Sequence, residues 1–111
     1  MIIEHMTNIY TITAIGLWSN KYPEKAGQHR KRIWGWYSNF YEAEEAVIEN
    51  VTDMNEAGYY PWIVIEEVSE GICPITMEDK AKWYEFDAKD EKYHRCDAPE
   101  FAMCIINWSF G

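Results

Sequence analysis

Trp62-Ile63-Val64-Ile65, followed by Glu66-Glu67, is the stretch on which the fold turns. An unbroken apolar run of this kind lies in the middle of a sheet, covered on both faces. It predicts the central strand, returned to solvent at Glu66 and Glu67. Upstream, Asn8 to Leu17 alternates Ile9, Thr11, Thr13 and Ile15 with Tyr10, Ile12 and Ala14, a period-two pattern rich in β-branched and aromatic residues. That is a first strand. Ser19-Asn20, Pro23 and Gly27 then mark a basic loop over residues 19–29, leading into the aromatic-rich run Arg30 to Tyr37. The two strands make a long-looped hairpin. Downstream, Lys82 to Asp87 and Lys92 to Cys96 are joined by Ala88-Lys89-Asp90-Glu91, a second hairpin with a four-residue connection. The tail from Phe101 to Phe110 is apolar without a clean period, which leaves a short helix and a closing strand both open.

Between the second strand and the central one lies a helix. Asn39 is placed to accept from the first backbone amides, and Glu42, three residues on, to reach back as the other half of a capping box. Phe40, Ala43, Val47 and Val51 recur as a core stripe, while Glu42, Glu45 and Glu49 fall on the opposite face. The helix ends between Asn50 and Gly58, with Gly58 the expected left-handed terminator of this helix or of a short second one from Thr52. The fold class that results is α+β: a small, mostly antiparallel sheet of about five strands with one main helix packed on one face. A chain of 111 residues with 48% hydrophobic and 26% charged residues suits a single domain, 1–111, with residues 1–7 expected to be disordered.

Charge is polarised along the chain. Residues 38–79 carry eleven carboxylates and no Lys or Arg, whereas Lys21, Lys25, Arg30, Lys31 and Arg32 crowd together just before them. The net charge of −9 argues against duplex DNA and anionic membrane as partners, since both require a broad basic face. No apolar run is long enough to span a bilayer and the N-terminus has no secretion signal, so a cytoplasmic location is expected. Cys73, Cys96 and Cys104 are odd in number and lack CxxC spacing, which reads as free thiols with neither disulfide nor zinc knuckle.

The wording of Asn39-Phe40-Tyr41-Glu42-Ala43-Glu44-Glu45-Ala46-Val47, Asp53, Gly58-Tyr59-Tyr60, Ile63-Val64-Ile65-Glu66-Glu67-Val68 and Glu70-Gly71-Ile72 carries a resemblance. It continues through Trp83-Tyr84-Glu85-Phe86, Tyr93 and Asp97-Ala98-Pro99-Glu100, about residues 33–101 in all. The chain resembles a loosely defined group of small acidic proteins of unknown function from clostridial and other gut bacteria and their phages. The resemblance implies a bacterial or phage origin, a single α+β domain and the class of phage factors that inhibit host defence; it transfers no functional residue.

Three constellations bear on function. If extended, Arg30, Arg32, Trp34 and Trp36 share one face, with cations to hold phosphates beside indoles to stack on bases; the alternative is that the tryptophans fill the core and the arginines offset the acidic helix. Glu42, Glu45 and Glu49 repel one another and form either a solvated face or a docking surface for a host protein with a basic surface. His94 and Cys96 lie on one strand face but lack a nameable third group for catalysis, and His5 and His29 sit in loop or terminal segments. No cofactor or metal motif is present. With Trp 6, Tyr 8 and Phe 4, one small core cannot hide every ring, so a homo-oligomer or a partner is expected to cover some. The reading is a non-enzymatic binding protein, a phage or mobile-element inhibitor of a host defence protein. Its alternatives are a sponge for a nucleotide or similar phosphorylated ligand and a small hydrolase.

Overall fold

β1 (Asn8–Leu17) is apolar on both sides of its pleat and is flanked on both edges, by β2 (His29–Tyr37) and by β3 (Trp62–Ser69). β4 (Ala81–Asp87) and β5 (Lys92–Cys96) follow beyond β3, giving the order β2-β1-β3-β4-β5 with every pairing antiparallel. The computed structural model describes residues 8–17, 29–71, 80–104 and 108–109. The basic loop from 19 to 28, residues 1–7 and Cys73 lie outside the described residues. His29, read as loop, is the first residue of β2.

α1 (Phe40–Ile48) connects β2 to β3, across β1. Asn39 caps it by accepting from the amides of Tyr41 and Glu42 at 2.8 and 3.2 Å. Ala43, Ala46 and Val47 are buried in one cluster with Ile12, Ile63, Ile65, Tyr84 and Tyr93. Val51, expected to extend that stripe, is exposed instead: Asn50 takes a left-handed conformation (φ 50°) that ends the helical phase one residue earlier. A short 3₁₀ turn, Val51–Asp53, follows, and Gly58 (φ 96°) closes the run of tight turns rather than α1 itself.

Glu66 corrects the expectation that β3 emerges into solvent there. It is only 1% exposed, and its carboxylate accepts from the amides of Trp108 (2.9 Å) and Ser109 (2.9 Å). On that side of the sheet Ile15, Val64, Trp83, Ala102 and Trp108 form a second buried cluster, separate from the one containing α1. The undecided tail therefore contributes a 3₁₀ turn over Glu100–Cys104 and a Trp108–Ser109 segment fastened to the centre of the sheet.

Candidate functional site

The pairing of β1 with β2 settles where the basic and aromatic residues go. Thr13 pairs with Ile33 and Ile12 with Gly35, so Trp34 is an extra residue in a β-bulge. Before the bulge, Arg30 and Arg32 lie opposite Gly16 and Ala14, on the α1 side of the sheet with Trp34. After it, Trp36 pairs with Thr11, whose hydroxyl meets Ser109 at 3.1 Å on the opposite side. Paired residues share a face, so the bulge brings Arg30, Arg32 and Trp34 together and turns Trp36 away from them. The single face expected of all four does not form.

Both arginines work within the chain. Arg30 donates to the Tyr59 carbonyl at 2.7 Å and lies 4.0 Å over the Tyr59 ring. Arg32 is 3.0 Å from the Glu56 carboxylate and 3.9 Å over the Trp34 ring. Together they hold the turn-rich segment 51–60 against β2. Asn55 orders that segment from inside, bonding the Tyr60 carbonyl at 3.0 Å and the Gly58 amide at 2.6 Å. Along the bulge runs a cleft of about 260 Å³, lined by Trp34, Trp36, Tyr37, Ile12, Ala46 and Met54 among others. The Trp34 indole N–H is buried with no hydrogen-bond partner among the described residues.

The three helix acids divide as well. Glu49 is neutralised by Lys92, at 2.7 and 2.8 Å, whereas Glu42 and Glu45 remain exposed without an ion-pair partner among the described residues. Beside them Tyr41, 76% exposed, is the most exposed large apolar side chain described. Glu44, one position round the helix, faces inward: it accepts from the Tyr84 hydroxyl at 2.5 Å and pairs with Arg95. Burial first, then the bond to Glu44, pushes the Tyr84 hydroxyl well above its ordinary range. Tyr41 was legible from helical phase, as it lies off the buried stripe. Glu44 was not, because its partners come from β4 and β5.

His94 and Cys96 do share a face, opposite Glu85 and Trp83. Burial, then the charges of Glu85 and Asp97, raises the Cys96 thiol, the reverse of what activates a nucleophile. His94 turns instead to Asp90, at 2.6 Å. Asp87, Asp90 and His94 offer three ligand atoms within 4.8 Å of one another, all on exposed residues, so this donor set could hold a cation. One oxygen of each Asp accepts a loop amide, from Lys89 and Lys92, and with the backbone bond from the Glu91 amide to the Asp87 carbonyl (2.8 Å) these close the hairpin.

Six large apolar side chains are exposed among the described residues: Ile33, Trp36, Tyr37, Tyr41, Val51 and Tyr59. All fall between residues 33 and 59, in β2, α1 and the turns after it, and none in β3, β4 or β5. No helix among the described residues is long and apolar enough to cross a membrane. No protein-family model, curated protein or solved structure matches the chain.

Proposed function

We propose that this chain is a non-enzymatic binding protein that inhibits a host defence protein by docking the outward face of α1 onto a basic surface. One observation carries the reading: Tyr41, 76% exposed, stands beside Glu42 and Glu45, two carboxylates with no ion-pair partner among the described residues. A large ring set among uncompensated charges combines an anchor worth about 2 kcal/mol or more at an interface centre with charges that steer encounter. The resemblance drawn from the sequence supplies the class of partner. A nucleotide sponge is less favoured, since Arg30 and Arg32 are turned toward Tyr59 and Glu56.

The test is a triple variant, Tyr41→Ala with Glu42→Gln and Glu45→Gln, which gives up the Tyr41 edge contact with Phe40 but leaves buried Ala43, Ala46 and Val47 in place. A host protein retained by the wild type at low salt, released at high salt and lost by a variant of unchanged melting temperature is the expected result. Equal retention by the variant would assign this face to solubility alone.

A further inference from the structure

We infer that the outer edge of β2 is the pairing edge of a symmetric homodimer, in which a second copy of this chain adds its own β2 antiparallel to the first and the two sheets become one. This surface is separate from the face of α1, and neither proposal depends on the other.

The two edges of the sheet are built differently. β5, the far edge, is five residues long and its exposed positions are His94 and Arg95, which suits an edge kept from pairing. β2 is nine residues long, nothing among the described residues pairs with its outer side, and Ile33 (51%), Trp36 (61%) and Tyr37 (36%) are left in water. These side chains are not all on one face. Ile33 and Trp36 lie on the side of Thr13 and Thr11, and Tyr37 lies with Tyr10 on the side of α1. A body resting on one face of the sheet would cover one set and leave the other. An added strand, whose side chains alternate between the faces, covers both.

The sequence of β2 identifies the strand that fits. Its first half is cationic, Arg30-Lys31-Arg32, and its second half is apolar and aromatic, Ile33-Trp34-Gly35-Trp36-Tyr37. Laid antiparallel on itself, it sets each cationic half against the aromatic half of the other copy, which is the self-complementarity a two-fold interface demands. The cations keep their contacts within their own chain, Arg32 over Trp34 at 3.9 Å, Arg30 over Tyr59 at 4.0 Å and Lys31 on the Trp108 carbonyl at 2.9 Å, so across the seam they offer their alkyl stems to the partner's rings. The Arg32 charge is balanced by Glu56, which limits repulsion where the two edges meet. Basic residues and a bulge are also devices that discourage edge pairing. Half-exposed Ile33 and Trp36 are not, and their exposure decides for an occupied edge.

Sedimentation velocity of the full chain from about 1 to 100 µM, the range in which modest interfaces associate, should show a species of twice the 13.2 kDa chain mass growing with concentration. Trp36→Asp should weaken dimerisation about thirtyfold or more, as for loss of an interface anchor, and Ile33→Asp with Trp36→Asp should leave only monomer. Both positions are exposed, so thermal melting of the dilute variant should match the wild type. Hydrogen exchange needs no variant: amides in residues 33–37 should slow as concentration rises. A wild-type monomer across the whole range overturns the proposal, as does a dimer that ignores the substitutions or forms without protecting those amides.

Discussion

Glu66→Gln is the substitution that best measures how the two faces of the sheet are joined. The carboxylate is buried at the middle of the central strand and accepts from two backbone amides forty-two and forty-three residues away, at 2.9 Å each from Trp108 and Ser109. A carboxylate presents only acceptors, which is what converging N–H groups require; a carboxamide of the same shape sets an NH₂ group against one of them. Hydrogen bonds to a charged group contribute about 1.5–3 kcal/mol, and a buried amide left unmatched costs about 1–3 kcal/mol, so Glu66→Gln should destabilise the fold by about 2–3 kcal/mol. For a domain of this size that corresponds to a melting temperature lower by about 8–12 °C. The loss should be local in origin. Trp108 packs edge-on against Trp83 (5.8 Å) and Phe101 (6.0 Å), so near-ultraviolet dichroism from this tryptophan cluster should weaken while far-ultraviolet signal from the sheet persists. Urea unfolding gives the energy, and exchange of the Trp108 and Ser109 amides gives the place. A variant within about 0.5 kcal/mol of the wild type, with those amides still protected, would refute the claim that this carboxylate fastens the C-terminal segment.

Two further outcomes follow from the packing. Tyr84 and Tyr93 are both 0% exposed, and burial holds their hydroxyls above the ordinary value of 10.0. Above about pH 10 the unfolded chain releases protons that the folded chain retains, so stability is intact below that pH and falls above it, by up to about 2.7 kcal/mol per pH unit for the pair. Tyr60 is buried and raised as well, so Tyr93→Phe should remove up to about 1.4 kcal/mol per pH unit from the slope of urea midpoints above pH 10 and leave the rest, and an unchanged slope would sink the assignment. At Gly16 an added Cβ would lie 2.5 Å from the Tyr59 carbonyl oxygen and 2.6 Å from the Arg30 guanidinium. Gly16→Ala should therefore cost about 1–3 kcal/mol and speed amide exchange across residues 51–60, where an unaltered melt would show that β1 and this segment are not in contact.

The strands were legible because their signals are local. Period two marked β1, the continuous run at Trp62 marked β3, and the four-residue connection Ala88-Lys89-Asp90-Glu91 marked the β4–β5 hairpin. What the sequence hid has long-range or single-residue causes. Nothing near Glu66 announces its partners at Trp108 and Ser109, so an acid after an apolar run reads as a return to solvent. Gly35 is compatible with a bulge but does not require one, and that one extra residue decides which side of the sheet Trp36 occupies. Asn50 is the same kind of switch. Its left-handed backbone takes Val51 out of the helical phase that spacing alone had assigned to the core.

The excess of aromatic residues has a structural explanation in two parts. A single small core could not hold them, but the sheet is covered on both sides: one cluster takes Tyr60, Tyr84 and Tyr93, the other Trp83 and Trp108, with Trp62, Phe86 and Phe101 half-buried beside them. Crowding therefore does not force the remaining rings into water, since β3, β4 and β5 bury or half-bury every ring they carry. Among the described residues, the exposed ones belong to one continuous piece of chain, from Ile33 to Tyr59, the same piece that supplies the outer edge of β2, which no described strand pairs, and the outward face of α1. Rings left over from packing would be scattered over the surface. The described rings in water lie on the β2 edge, on α1 and in the turns after it; the two proposals read the first two as contact surfaces and differ in that one occupant is a basic partner and the other is a second copy of the same edge.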